Sequence, residues 1–323
     1  MARPSLRPLG GSGINVSCLS LGSWRTFERI PREVGVAVME KARESGINFL
    51  DDARYNDETG TAPIKSGYSE VVFGELFRAS GWKRDEVVVA NKLWWEFWPE
   101  QDAAAELEGS LGRMGLDHLD LVYAERPPDG LGLDEVVRQV GGLIRSGKVR
   151  AWGVLNWPAV QIAEVGRIAA EQAVPNPAAA QLAYSVAMRS PVEDEDMASA
   201  LASCGASVVA SFAMLGGVLT GKYLDADAGG RWTGQLEDPR LRAGHDAAVA
   251  LRHLASRAGT TAAALAIAFP LLNPNVASVL FGATSAEQVA ANLEALEIAA
   301  NLSPELRTEL LAVGALGDSA TRV

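Results

Sequence analysis

EVVVANKLWWEFWPEQDAAAELEGSLGRMGLDHLDLVYAERPPDGLGLDEVVRQVGGLIRSGKVRAWGVL, residues 86–155, alternates two kinds of segment. Three short runs, 86–93, 119–124 and 151–155, are dominated by Val, Leu and Ala. Between them lie two longer segments, 101–114 and 133–146, whose apolar residues are spaced for one face of a helix. Apolar runs without polar alternation are what strands look like when both faces of a sheet are covered. Strand and helix in strict rotation imply a parallel sheet.

Working outward, the rotation continues in both directions. Toward the N-terminus, 16–24 and 47–53 read as strands and 32–45 and 69–80 as helices, the latter opened by Ser69 as its N-cap. Toward the C-terminus, strands at 178–184, 207–212 and 276–281 alternate with helices at 158–172, 193–203, 245–258 and 286–296. Eight strand–helix pairs predict a closed (β/α)8 TIM barrel in preference to an open sheet. All of 1–323 is expected to form one such domain, with loop insertions near 54–68 and 224–244 and an extra helical segment at 260–269. In this architecture chemistry sits at the C-terminal ends of the strands.

Composition removes several function classes. Lys plus Arg number 29 against 40 Asp plus Glu, and the formal net charge of −11 gives no general attraction to nucleic acid or anionic lipid. Two cysteines, Cys18 and Cys204, are too few for a disulfide framework or a cysteine zinc site. The first residues carry no apolar signal region, and the most apolar stretch, 261–272, is shorter than the roughly 18–20 residues of a membrane span. The expectation is a cytoplasmic protein acting on a small molecule, without metal.

Familiar nucleotide motifs fail. No GxGxxG opens a strand–helix unit, and GVLTGKY (217–223) is one spacer short of a P-loop, with Tyr223 where a Ser or Thr would hold magnesium. His118, His245 and His253 are scattered.

The strand ends are more informative. NFLDDARY places Asp51, Asp52, Arg54 and Tyr55 after the second strand, and Lys92 closes the third. Glu125 and Arg126 follow the fourth and Asn156 the fifth. An unpaired ammonium beside a core is costly, so Lys92 demands a carboxylate, and Asp51 on the neighbouring strand is the natural one. A Lys–Asp pair beside a tyrosine is expected to lower the cost of its phenolate, which makes the tyrosine a general acid for a carbonyl oxygen receiving hydride. Trp94, Trp95, Phe97 and Trp98 crowd the loop after the third strand and, with Trp24 and Trp157, suggest an aromatic wall for a flat lipophilic substrate.

These residues carry a resemblance. LSLGSW (19–24), INFLDDA (47–53), VVVANKLW (87–94), LDLVYAERP (119–127), LIRSGKVRAWGVLNW (143–157), AQLAYS (180–185), GGVLTGKY (216–223) and SVLFGATSAEQVAANLEAL (278–296) make the chain similar to the aldo-keto reductases. The nearest branch is the one containing potassium-channel β-subunits and their bacterial relatives. The resemblance implies NADPH bound across the barrel mouth and hydride transfer to a carbonyl compound. It implies a catalytic set of Asp51, Lys92 and a tyrosine, either Tyr55 or, given the insertion at 56–67, Tyr68. Glu125 stands where the family has His, which the family's steroid 5β-reductases share, so reduction of an enone C=C is an expected variant.

For the cofactor, the resemblance assigns Gly22, Ser23 and Trp24 to the nicotinamide and substrate side. Asn156 and Gln181 fall on the carboxamide, with Leu155 replacing a hydroxyl residue. Ser211 falls where the family has its stacking aromatic, so Phe212 or Tyr184 is expected to stack. Leu215, Gly217 and Lys222 match the pyrophosphate loop, and Gly282, Thr284, Gln288 and Asn292 the adenosine pocket. Lys222, Thr284 and Arg231 or Arg240 are the candidates for a 2′-phosphate. Trp24, Trp94, Trp95 and Trp157 are the expected substrate contacts. The second reading is a nicotinamide-binding, redox-sensing subunit with little turnover.

Overall fold

In the computed structural model, which describes residues 2–58, 60–224 and 239–314, the eight apolar runs close on one another. A short antiparallel hairpin comes first, β1 (Leu6–Pro8) and β2 (Asn15–Ser17). The barrel strands are β3 (Leu19–Gly22), β4 (Phe49–Asp51), β5 (Val88–Leu93), β6 (Leu119–Ala124), β7 (Val149–Leu155), β8 (Ala179–Ala183), β9 (Ser207–Ser211) and β10 (Val276–Phe281). Each pairs in parallel with the next, and β10 closes onto β3, so the fold is the (β/α)8 barrel. The helices are α1 (Arg32–Glu44), α2 (Tyr68–Ala79), α3 (Ala103–Met114), α4 (Leu133–Arg145), α5 (Ala159–Glu171), α6 (Ser190–Glu193), α7 (Glu195–Cys204), α8 (Pro239–Ala258), α9 (Ala262–Leu271), α10 (Ala286–Asn301) and α11 (Pro304–Val313).

The period of two along each strand sorts side chains into two cores. On β5, Val88 and Ala90 point into the barrel while Val89 and Leu93 meet the helices; on β6, Leu121 and Tyr123 point inward while Val122 and Ala124 point outward. Gly153 on β7 is required by this crowding: a Cβ there would sit 2.4 Å from the Ala179 carbonyl oxygen and 3.0 Å from the Tyr123 ring. Leu9, Ile14 and Val16 of the hairpin region join the inner cluster and plug the barrel at the end where the strands begin.

Several local readings are corrected. Residues 16–24 are not one strand. Ser17 Oγ donates to the Leu19 carbonyl at 2.7 Å and Asn48 Oδ1 accepts from Ser17 N at 2.7 Å, so side chains occupy the backbone groups that would continue the ladder. Ser69 is not a cap: α2 starts at Tyr68 after Gly67, whose φ of 80° supplies the turn, and the Ser69 hydroxyl donates to the Ala53 carbonyl at 2.6 Å. The helix expected at 193–203 breaks at Asp194, which is extended with ψ 139°. α8 begins at Pro239, earlier than expected, and α11 was not anticipated. Among the described residues no single helix is long and apolar enough to cross a membrane.

Candidate active site

Strand parity delivers the candidate catalytic side chains. Phe49 faces inward on β4, so Asp51 does too; Val88 and Ala90 face inward on β5, so Lys92 does; Ala179 faces inward on β8, so Gln181 does. Each lies one step above the apolar filling, at the C-terminal rim. Lys92 is 4% exposed and its ammonium donates to Asp51 Oδ1 at 2.6 Å, to the Asp52 carbonyl at 3.1 Å and to the Tyr55 hydroxyl at 3.4 Å. Gln181 Nε2 donates to the other carboxylate oxygen, Asp51 Oδ2, at 2.9 Å. The buried ammonium is thus satisfied, as the desolvation argument requires.

The choice between the two tyrosines is geometric. Tyr55 touches Lys92, and its ring meets Trp94 edge-on at 6.1 Å. Tyr68 lies in α2, and its hydroxyl accepts from Arg32 at 2.9 Å. The electrostatics of Tyr55 correct the sequence-based expectation. Burial pushes its hydroxyl well above the usual tyrosine range, and the carboxylates of Asp51, Glu28 and Glu70 push the same way. At rest the phenol is firmly protonated.

Glu125 is half-buried after β6, with its N–H donating to the Leu93 carbonyl at 2.9 Å. Burial raises its pKa above the ordinary carboxylate value; the N–H and charge of Arg126, and Lys92, oppose this. Its Oε1 accepts from the Arg126 backbone at 3.2 Å, and among the described residues it forms no ion pair.

The tryptophans divide. Trp94 is partly buried beside Tyr55 and Trp24 partly buried beside Phe212, at 5.4 Å. Trp95 and Trp157 are not wall residues: they are 3% and 1% exposed and belong to the outer core. The Trp95 indole N–H is spent on the Glu125 carbonyl at 3.0 Å. What pins this loop was not read from sequence. Buried Glu106, in the first turn of α3, accepts the N–H groups of Trp94 at 2.8 Å and Trp95 at 3.1 Å. Buried Arg54 reaches Glu106 at 3.5 Å and Glu96 at 2.7 Å and lies over the Phe97 ring. A Glu in a helix's first turn facing an Arg beyond the neighbouring strand was the available signal.

The model of the aldo/keto reductase family matches residues 18–310. This chain belongs to the aldo/keto reductase family. A protein of Oryza sativa subsp. japonica named as a probable voltage-gated potassium channel subunit beta is 32% identical over 324 residues, covering 94% of this chain and 95% of that protein. Family membership supports an oxidoreductase, and the family generally binds nicotinamide cofactors.

In this aldo/keto reductase the expected cofactor residues lie in or after β7, β8, β9, β10 and β3, five consecutive strands of the closed barrel. They form one arc of the rim, while Asp51, Lys92 and Glu125 on β4, β5 and β6 form the other. Asn156 is exposed with a left-handed φ of 54°. Phe212, also left-handed at 56°, is 37% exposed, whereas Tyr184 is packed on Phe269 and bonded to Glu193. Ser211 ends β9 with its carbonyl accepting from Tyr184 N at 2.9 Å. Leu215, Gly216 and Gly217 all take positive φ, which turns the backbone of this loop sharply. Lys222 is exposed, its ammonium 4.7 Å from the Tyr223 ring centre. Gly22 packs beneath Leu280, and a Cβ on Gly282 would strike Thr26. Thr284 N donates to Gln288 Oε1 at 2.9 Å just before α10, and Asn292 is buried in that helix. Arg231 lies outside the described residues, as does the side chain of Arg240.

Proposed function

We propose that this chain is an NADPH-dependent reductase of a carbonyl-bearing small molecule. The observation that carries the reading is the single Lys92 ammonium bonded to both Asp51 and Tyr55. NADPH, when bound, supplies the hydride. The cofactor arc suits it: an exposed aromatic at Phe212, polar Asn156, a left-handed glycine loop and the N-terminus of α10 face one side of the rim. Lys222 and Thr284 are the described groups for a 2′-phosphate, which favours NADPH over NADH. Gln181 is already bonded to Asp51, so its amide serves the catalytic carboxylate as well as any carboxamide.

Tyr55 gives its proton to the oxygen on which negative charge develops. Its raised pKa keeps that proton in place at neutral pH, and the neighbouring ammonium offsets the phenolate as it forms. Asp51 holds the ammonium, and Gln181 holds Asp51. Glu125 adds a second acid: its raised pKa widens the pH range in which it donates a hydrogen bond, and an enolate oxygen formed from an enone is a suitable acceptor. We therefore place C=C reduction of an enone within the reading.

A second reading is a nicotinamide-binding, redox-sensing subunit with little turnover; what favours it is that the Oryza relative is named as a channel subunit. Nicotinamide absorbance followed over aldehydes, ketones and enones separates the two. Cofactor binding with no turnover on any of them would overturn the reductase.

A further inference from the structure

Asp52 is a buried titratable group for which this chemistry has no use. It is 0% exposed at the end of β4. Its N–H donates to the Ala90 carbonyl of β5 at 3.0 Å, and its own carbonyl accepts from Lys92. Its Oδ1 is hydrogen-bonded to the Ser23 hydroxyl in the turn after β3, while Oδ2 has no partner. Among the described residues no cation forms an ion pair with it: Lys92 pairs with Asp51, and Arg113 pairs with Glu70 at 2.5 Å.

A carboxylate so placed would be an unpaired buried charge, which proteins avoid by protonation. Burial, and the like charge of Glu70 on α2, push Asp52 well above the carboxylate range, against the opposing Ser23 bond, the Ala53 backbone N–H and Lys92 on β5. As an acid, Asp52 can donate from Oδ1 to Ser23 Oγ, and Oδ2 becomes a neutral carbonyl oxygen whose lack of a partner is less severe. The turn it holds is otherwise fastened by Ser23 N to the Asp51 carbonyl at 3.0 Å and by the Thr26 hydroxyl to the Ser23 carbonyl at 2.6 Å. Trp24, the next residue, leans on Phe212.

We propose that Asp52 is a positioning residue whose side chain clamps the Ser23–Trp24 turn to the same strand end that anchors the Lys92 ammonium. One residue then ties the two arcs of the rim together, its side chain to the cofactor arc and its carbonyl to the catalytic one. The purpose of the clamp rests on the reductase reading, because Ser23 and Trp24 matter there as cofactor and substrate contacts.

The test uses the full chain with NADPH as the probe. Asp52→Ala and Ser23→Ala are each expected to weaken NADPH binding about tenfold, the scale of one buried hydrogen bond, measured by tryptophan fluorescence. The double variant should be no weaker than Ser23→Ala alone, since Asp52 acts through that one contact. Asp52→Asn keeps the shape and a donor and should restore binding to within about twofold. In the infrared difference between wild type and Asp52→Asn at pH 7, the wild type should show the carbonyl stretch of a protonated carboxylic acid. Binding losses that add in the double variant, Asp52→Asn as weak as Asp52→Ala, or no such band would each overturn the proposal. If Asp52→Ala does not fold, Ser23→Ala and the infrared band still decide it. Failure to turn over any carbonyl would refute the reductase without touching these binding and spectroscopic results.

Discussion

Replacing Lys92 by Met removes the cation and keeps most of the stem. Lys92 and Asp51 side chains are 3% and 2% exposed, so solvent cannot replace the lost partner. Breaking a buried pair from one side costs about 3–5 kcal/mol, because a charge is left without its counter-ion. Here Gln181 still donates to Asp51 Oδ2, which places the loss toward about 3 kcal/mol. At about 2 °C per kcal/mol for a chain of this size, the melting temperature should fall by on the order of 6 °C. Urea unfolding followed by circular dichroism measures the free energy directly. The companion variant, Lys92→Met with Asp51→Leu, removes both charges and should recover much of the loss. The reasoning is refuted if the single variant loses less than about 1 kcal/mol, the scale of a solvent-screened surface pair, or if the double variant loses the sum of both singles. Turnover of the single variant should also fall by about a hundredfold or more, the usual consequence of losing an acid–base partner.

Tyr55→Phe should lower turnover by at least about a hundredfold with NADPH binding intact, whereas Tyr68→Phe should leave turnover near wild type; steady-state kinetics on one aldehyde distinguishes them. Glu125 works as a donor only when protonated, and its folded pKa lies above the ordinary value of about 4.3, so enone reduction should decline as pH rises through that raised pKa. Glu125→Gln should flatten this limb, and Glu125→His should shift product from saturated ketone toward allylic alcohol, read by mass and NMR; an unchanged product ratio would show that Glu125 does not direct the hydride. Lys222→Ala should narrow the preference for NADPH over NADH by about ten- to a hundredfold, the worth of one charge-assisted contact, seen in paired fluorescence titrations.

The barrel was legible because burial on both faces imposes one simple pattern, an apolar run, repeated eight times. Lys92 and Asp51 were legible because a lysine at the end of a core strand can be explained in few ways. Other features turn on which way a ring or chain faces once the run ends. Trp95 and Trp157 follow strand ends as Trp94 and Asn156 do, yet pack outward into the helical layer. The break between Ser17 and Leu19 depends on Asn48, 31 residues away in the chain. The direction of the Tyr55 shift depends on burial and on carboxylates from three segments, Glu28, Asp51 and Glu70. Asp52 was visible as the second of two adjacent aspartates closing an apolar strand, but its solitude inside the fold was not.

The hairpin and the residues around it stop the barrel where its strands begin, with Leu9 and Val16 wholly buried among the inner side chains. The molecule is a cup, and a cup has one doorway. Among the described residues the base is filled by side chains, so traffic to the rim comes from one end. For two reactants sharing that doorway, approach is from the same side whichever arc of the rim each occupies.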